Sequence, residues 1–315
     1  MIPCTEFIPA YSELFTFLEK KRGRAEVDRY WKWLFDPEND SVPLDGYLQR
    51  EGIKGFFSNY AISLSEEAAD FTNFCSEKGG WYKGVMHYCP SKGRLLELQK
   101  KVPTFVPYHD YCLHCDNYRL SAEKAGFGYI FDFEGMDEAR CVEFAYDPAK
   151  FDGRVIVDED TLILDRRASD NEYFHRQFHA SLSNSLNYLG ENYGTDAIVE
   201  FLTMYMKDVF PYVLAACADV GLKAIADFEK QMYAEEKASG LLTAELSEDG
   251  KMLTVNVSKC PAREYLKSNN LVISEYFGYA DTVPLKVLAE SAGAAFTVIS
   301  YDDETGAAKY EFVMK

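Results

Sequence analysis

The chain repeats itself, and that repetition limits its fold more than any single motif does. SELFTFLEKKRGRAEV (12–27) runs parallel to SNSLNYLGENYGTDAI (183–198), and EGIKGFF (51–57) to VGLKAIA (220–226). CPSKGRLLELQK (89–100) parallels CPAREYLKSNN (260–270), AGFGYIFDF (125–133) parallels AGAAFTVIS (292–300), and CVEF (141–144) parallels KYEF (309–312). The pairs keep their order at a nearly constant offset, which is the mark of one unit written twice. The expected fold is therefore α+β: two tandem copies of a unit with N-terminal helices packed on a small antiparallel sheet. The first repeat spans 1-146 and the second 171-315. Between them, 147-170 reads as a linker whose apolar runs RVIV and TLIL supply one or two extra strands.

Within the second repeat, Phe174, Phe178, Leu182, Leu186 and Leu189 stand at helical spacing, which predicts a helix over 173–190. A second helix follows over 195–218, kinked at Pro211. LLTAELSEDGKMLTVNVS (241–258) is a hairpin around Asp249-Gly250, with Leu242, Ala244 and Leu246 on one face and Leu253, Val255 and Val257 on another. One half calibrates the other. Tyr82, Gly84 and Met86 fall opposite Leu253, Val255 and Val257 and should point inward, while Trp81, Val85 and His87 should face the other way. Cys89-Pro90 and Cys260-Pro261 recur in both copies and read as helix starts with proline in the first turn. The acidic stretches DFEGMDEA and YDDETGAA read as solvated hairpin turns.

With 47% hydrophobic residues a sizeable core can form. The net charge of −18 repels phosphate backbones and anionic lipid, so neither nucleic acid nor membrane is an expected partner. The longest apolar stretch, near VFPYVLAACA, is too short to span a bilayer. The N-terminus has no basic region leading into an apolar run, and eight scattered cysteines then read as reduced thiols in the cytoplasm.

Chemistry concentrates in PYHDYCLHCDNYRL (107–120), which holds Cys112, His114, Cys115 and Asp116 in five positions. The repeat sets Cys112 against Tyr279, His114 against Asp281, Cys115 against Thr282 and Cys141 against Lys309. The soft, titratable residues thus exist in the first copy only, where a specific task explains them better than shared fold needs. Three chemistries fit. Cys112 and Cys115 have C-x-x-C spacing for Zn²⁺, but no second such pair exists to close a structural site. A redox dithiol at a helix start is a second reading, with Asp116-Asn117 capping the helix, although no βαβ unit surrounds it. The third is nucleophilic catalysis, a thiol activated by an imidazole. His114 and Cys115 are neighbours, so they cooperate only in a turn or helix start. Cys141 shares a strand face with Glu143 and could reach the same pocket. The plainer reading is a cysteine-bearing loop lining an aromatic pocket, with Tyr108 and Trp81 as walls.

EYFHRQFHASL (172–182) places His175 and His179 four apart on the predicted helix, so both lie on one face and suit a divalent metal such as zinc. Residue 176 is Arg, so the glutamate of the zinc-protease motif is missing. Joined to Cys112 and Cys115, the two histidines would make a mixed nitrogen–sulfur site. A carboxylate substrate would need a nearby cation, Arg94, Arg119 or Arg140, with Arg119 the first choice.

The pattern FHRQFHASLSNSLNYLGENYG, then CP, then CVEF, with GGWYKGVMHYCP and HCD in the first half, resembles the L-2-amino-thiazoline-4-carboxylic acid hydrolase-like proteins of bacteria. The resemblance implies hydrolytic opening of a cyclic amidine that bears a carboxylate. Cys115-Asp116 and Cys141 match the family's Cys/Asp and late Cys-x-x-Phe positions, and His175 and His179 its helical histidines. Lys309 departs from that pattern, which implies an inactive or regulatory second half. The function expected is a small-molecule hydrolase acting on a thiazoline-like or related carbon–nitrogen bond, with a Cys/His site or a metal-bound water. The alternatives are a non-catalytic protein binding a small ligand or metal in an aromatic pocket, and a thiol redox protein. Self-association into a homo-oligomer stays open.

Overall fold

The computed structural model describes residues 1–36 and 42–315. The chain divides into two compact units, one comprising Leu18–Lys100 and Pro107–His175, the other Met1–Phe17, Lys101–Val106 and Arg176–Lys315. This division differs from a cut into 1-146 and 171-315. The first 17 residues group with the second sheet, and 147–175 group with the first.

The first-sheet unit takes the end of α1 (Phe7–Arg22), then α2 (Arg24–Leu34), α3 (Pro43–Glu51), α4 (Lys54–Glu66), β1 (Asp70–Ser76), β2 (Trp81–Tyr88) and α5 (Pro90–Lys101). A 3-10 turn (Tyr111–Asn117) runs straight into α6 (Tyr118–Lys124), and β3 (Gly128–Asp132), β4 (Cys141–Tyr146) and β5 (Leu162–Arg166) complete it. The strands lie in the order β3-β4-β2-β1-β5, all neighbours antiparallel.

The second-sheet unit is built from α7 (Phe178–Tyr193), α8 (Thr195–Val209), α9 (Pro211–Val220), α10 (Leu222–Glu235), β6 (Leu242–Leu246), β7 (Met252–Val257), α11 (Pro261–Ser268), α12 (Phe277–Ser291), β8 (Ala294–Tyr301) and β9 (Ala308–Met314). Its sheet, read from the β8 edge, is β8-β9-β7-β6. That is the path of the first sheet without β5. Both units are thus α+β, with the same order of elements.

The backbone repeats in detail. α3 and α9 each end in a glycine at the corner before the next helix: Gly52 at φ 60°, ψ −139° and Gly221 at φ 68°, ψ −139°. A side chain is strained at such an angle, so glycine marks the corner in both copies. Cys89 and Cys260 precede prolines at the starts of α5 and α11. Their backbone N–H groups donate to carbonyls in the turns between the last two strands of each repeat, Ala139 O at 2.6 Å and Thr305 O at 2.8 Å. The recurring CP pairs therefore tie a helix start to a hairpin turn.

In the first-sheet unit, strand alternation puts Phe71, Cys75, Tyr82, Tyr129 and Ala145 on one face, where Leu48, Phe56, Tyr60 and Leu64 from α3 and α4 and Ala122 from α6 bury them. Gly84 pairs with Glu143 and Met86 with Cys141 on that same face. The hairpin over 241–258 forms as expected, Leu242 opposite Val257 and Leu246 opposite Leu253.

Of the one or two extra strands expected in 147-170 one forms, and two expectations for helix bounds fail. RVIV is not a strand: Val155, Ile156 and Val157 lie outside regular structure and are about half exposed. The run carries β-branched residues but no pairing partner, so only TLIL joins the sheet. The helix expected over 195–218 is two helices, broken at Phe210 so that Pro211 opens α9 in its first turn. α7 starts at Phe178 and not near 173, because the preceding residues are held elsewhere. Phe174 N–H donates to Glu66 O at 2.8 Å. Among the described residues no helix is long and apolar enough to cross a membrane.

Candidate functional site

The 3-10 turn Tyr111–Asn117 presents Cys112, His114 and Cys115 half-buried, open enough to meet a small molecule and too enclosed for full hydration. His114 Nδ1 is hydrogen-bonded to the Tyr111 carbonyl, which accepts, so Nδ1 carries the proton and Nε2 carries the lone pair. Nε2 stands 3.5 Å from Cys115 Sγ, within reach of an S–H donor. The tight turn is what lets sequence neighbours meet. Burial pulls the imidazole down to about 4, so it is a neutral acceptor across the physiological range. Burial also pushes the Cys115 thiol well above its usual value, and nearby Cys89, Cys112 and Cys141 add to this. The resting pair is thus thiol and imidazole rather than thiolate and imidazolium.

Facing this turn is a carboxyl that the sequence placed on the Cys141 face without a role. Glu143 Oε1 accepts from Tyr82 OH at 2.9 Å, and Oε2 from Tyr129 OH at 2.8 Å. Burial pushes its pKa up to about 7 against those hydrogen bonds. The Tyr60 hydroxyl lies near enough to steady the charge but outside hydrogen-bonding geometry, and it is buried with no partner among the described residues. Tyr82 OH also lies 3.2 Å from Asn73 Oδ1. One hydroxyl has one proton. When Glu143 is protonated it can donate to Tyr82 while Tyr82 turns its own proton to Asn73. This relay makes both forms of the carboxyl tenable, which suits a proton-transfer group near neutral pH.

Gly84 makes the space. A Cβ there would meet Tyr82 OH at 2.6 Å and Glu143 Oε1 at 2.7 Å. Gly84→Ala should therefore displace the carboxyl and cost about 1–3 kcal/mol, read as a lowered denaturant midpoint. An unchanged midpoint would show that the two side chains simply swing aside. The second sheet has Val255 and Tyr310 at the matching pair. That register also corrects the expected match of Cys141 with Lys309. Met86 pairs with Cys141 as Val257 pairs with Ala308, so Ala308 takes the Cys141 position.

Cys141 lies beside Glu143 on β4, and its thiol is pushed far up by burial, then by Cys89 and Glu143. Cys89, read as purely structural from its recurrence, is close enough to act on Cys115, Cys141 and Tyr111. Cys112 is raised by burial, opposed by Lys92. Lys92 is 8% exposed, and its ammonium has no ion-pair partner among the described residues.

Other candidates sit elsewhere. Asp116 faces Arg119, Nε to Oδ2 at 3.7 Å, and does not orient His114; the Tyr111 carbonyl does. Nor does it cap α6: Asn117 turns its amide back to the His114 carbonyl at 3.1 Å. Arg119 is taken by Glu123 at 2.9 Å, Arg94 stacks on Tyr173 at 4.2 Å and Arg140 pairs with Glu138. Of the expected arginines none is free for a carboxylate. Tyr108 is buried against Arg24 and Glu19, and Trp81 is buried on the opposite sheet face from Glu143, so neither walls this site.

Of the expected metal set of His175, His179, Cys112 and Cys115, the two histidines do not share a helix face. His175 precedes α7 and its Nδ1 lies 2.7 Å from Glu66 Oε2, whereas His179, in the first turn of α7, places Nε2 2.8 Å from Glu236 Oε1. The helical periodicity ran past the true helix start, so the two imidazoles were never one turn apart on one helix. Among the described residues, the group of metal-type side chains whose donor atoms all lie within 4.8 Å of one another is Cys4, His179 and Glu236. A cavity of about 650 Å³ lies in the first-sheet unit among Phe35, Val42, Leu48, Ser121 and Phe127. The Asp45–Lys124 ion pair is in its lining, and it contains none of the thiols. Compared with known proteins, the chain matches no family model, no curated protein and no solved structure.

Proposed function

We propose that the first-sheet unit is a cysteine-dependent hydrolase of a small, carboxylate-bearing cyclic amidine or related carbon–nitrogen compound. One observation carries this reading: a thiol 3.5 Å from the lone-pair nitrogen of a fixed imidazole, in a turn whose neighbouring carboxyl has a pKa of about 7. Cys115 adds to the electrophilic carbon as its proton passes to His114 Nε2. Protonated Glu143 then gives its proton to the leaving heteroatom as that bond breaks. Water attacks the carbon of the covalent adduct and yields its proton to the Glu143 carboxylate. Cys115 departs and recovers its proton from His114. Lys92, unpaired near Cys112, is the cation for the substrate carboxylate in place of the expected Arg119.

The repeated topology supports descent from a duplicated module whose second copy lost this chemistry, since Thr282, Asp281, Tyr310 and Val255 replace Cys115, His114, Glu143 and Gly84. All eight cysteines are free thiols, in keeping with a cytoplasmic protein.

The test is turnover of 2-aminothiazoline-4-carboxylate and related cyclic amidines, with the reaction quenched for intact-mass measurement. The expected result is a covalent adduct on the peptide carrying Cys115, lost in Cys115→Ser but kept in Cys112→Ser. Binding without turnover or adduct would replace this reading with the second one, a small-ligand binding protein. The unpartnered, buried Tyr60 hydroxyl favours that alternative, because it offers a ligand a hydrogen bond that the protein leaves unmade.

A further inference from the structure

The second-sheet unit collects a thiol, an imidazole and a carboxylate from three distant stretches of chain. Cys4 starts the short turn ahead of α1, His179 lies in the first turn of α7, and Glu236 follows the last residue of α10. They are 1%, 1% and 4% exposed. His179 Nε2 is 2.8 Å from Glu236 Oε1, and Cys4 N–H donates to Glu236 Oε2 at 2.8 Å. The three ligand atoms all lie within 4.8 Å of one another.

We propose that Cys4, His179 and Glu236 form a closed structural site for a divalent cation of the zinc class. One sulfur, one nitrogen and one oxygen donor suit a borderline-soft ion and not calcium or magnesium, which take oxygen. Tetrahedral zinc bonds of about 2.0–2.3 Å set donor atoms roughly 3.5 Å apart, a spacing these groups reach by small side-chain rotations. The second Glu236 oxygen or a water completes four-coordination. The lack of exposed surface marks the site as structural, because a catalytic ion keeps a position open to substrate.

Charge and protons balance on binding. Binding displaces the Cys4 thiol proton, and the His179 proton moves from Nε2 to Nδ1. One proton leaves per ion, and thiolate plus carboxylate neutralise the 2+ charge. Arg176 Nε stands 3.8 Å from Glu236 Oε1, but its guanidinium is anchored over the Tyr265 ring at 4.7 Å and to the Pro261 carbonyl at 3.3 Å. It moderates the affinity without filling the site. The first-sheet unit has only part of this set. Glu67 follows α4 as Glu236 follows α10, and it pairs with Ser91 at 3.2 Å.

The experiment uses the full chain stripped with chelator and titrated with Zn²⁺ and then Co²⁺. The expected result is one ion and one released proton per chain, a higher melting temperature, and a near-ultraviolet thiolate-to-cobalt band. Cys4→Ser should abolish the band and weaken Zn²⁺ by more than the roughly 100-fold that losing an outer partner costs. Glu236→Gln should also weaken it, while Cys112→Ser and Cys115→Ser leave it unchanged. A parent protein that retains no ion or shows no thiolate band overturns the proposal without any variant. So does a band that survives Cys4→Ser, or one that disappears in Cys115→Ser.

Discussion

Glu143→Gln should make the first-sheet unit about 3 kcal/mol more stable than the parent at pH 8, equally stable at pH 4, and 10²- to 10⁴-fold slower in turnover. The carboxyl has an ordinary value of 4.5 and is held at about 7 in the folded protein. Below pH 4.5 it is protonated in both folded and unfolded chains and makes no difference. Between pH 4.5 and 7 the unfolded chain ionises while the folded one resists, so stability falls as pH rises. Above pH 7 both are ionised and the loss is complete. The neutral amide removes this loss and keeps the hydrogen bonds, because Tyr82 or Tyr129 can rotate its hydroxyl to accept from the amide nitrogen. The amide cannot deliver a proton to a leaving group. Urea unfolding of both proteins at pH 4 and pH 8, beside steady-state rates, measures both effects. Parallel stability curves would show that the Glu143 environment is ordinary and would remove the general acid from the mechanism.

A residue that weakens the fold at neutral pH beside a thiol and an imidazole is what the proposed function would call for, a site in which function outweighs stability. The second sheet shows the alternative. Tyr310 takes the Glu143 position opposite Val255, and burial raises its hydroxyl so far that it stays neutral. That copy carries no charge on the inner face at this position.

Much of the architecture was legible because it is local. Gly52 and Gly221 announce the same corner, the two CP pairs the same helix start, and Asp249-Gly250 its hairpin, each through backbone geometry that one or two residues dictate. The site was half legible. The spacing of Cys112, His114 and Cys115 drew attention to the turn on which the proposed function rests, and alternation put Glu143 beside Cys141. The carboxyl's near-neutral pKa comes from burial, partly offset by hydrogen bonds, among Tyr60, Tyr82 and Tyr129, which come from a helix and two strands that only the folded chain brings together. Distance in sequence also hid the Cys4–Glu236 contact. For His175 and His179, helical periodicity continued through Phe174 although the backbone there bonds to Glu66 instead. No capping side chain marks the start of α7, so nothing local signalled where the helix begins.

Phe56→Ala should cost about 3–5 kcal/mol, a large share of the roughly 5–15 kcal/mol that a typical domain has. Phe56 is fully buried on α4, with its ring stacked on Tyr82 at 5.4 Å, Tyr129 at 5.9 Å and Tyr60 at 6.5 Å. These are the three tyrosines around Glu143. Truncation therefore removes more than apolar contact. It frees three rings, two of which must hold their hydroxyls on one carboxyl, and it opens a hole next to polar groups, where water can enter. Hydration lowers the cost of the charged form, so the Glu143 pKa should fall toward 4.5 and the activity profile should shift to lower pH. Phe56→Leu retains most of the volume and should cost less, with a smaller shift in the same direction. The decisive comparison is the pH dependence of stability across the two variants and the parent. If Phe56→Ala destabilises as expected but the dependence between pH 4.5 and 7 persists at full size, the stacked rings hold the core without shaping the carboxyl, and the cause of its raised pKa lies in the thiol-bearing turn.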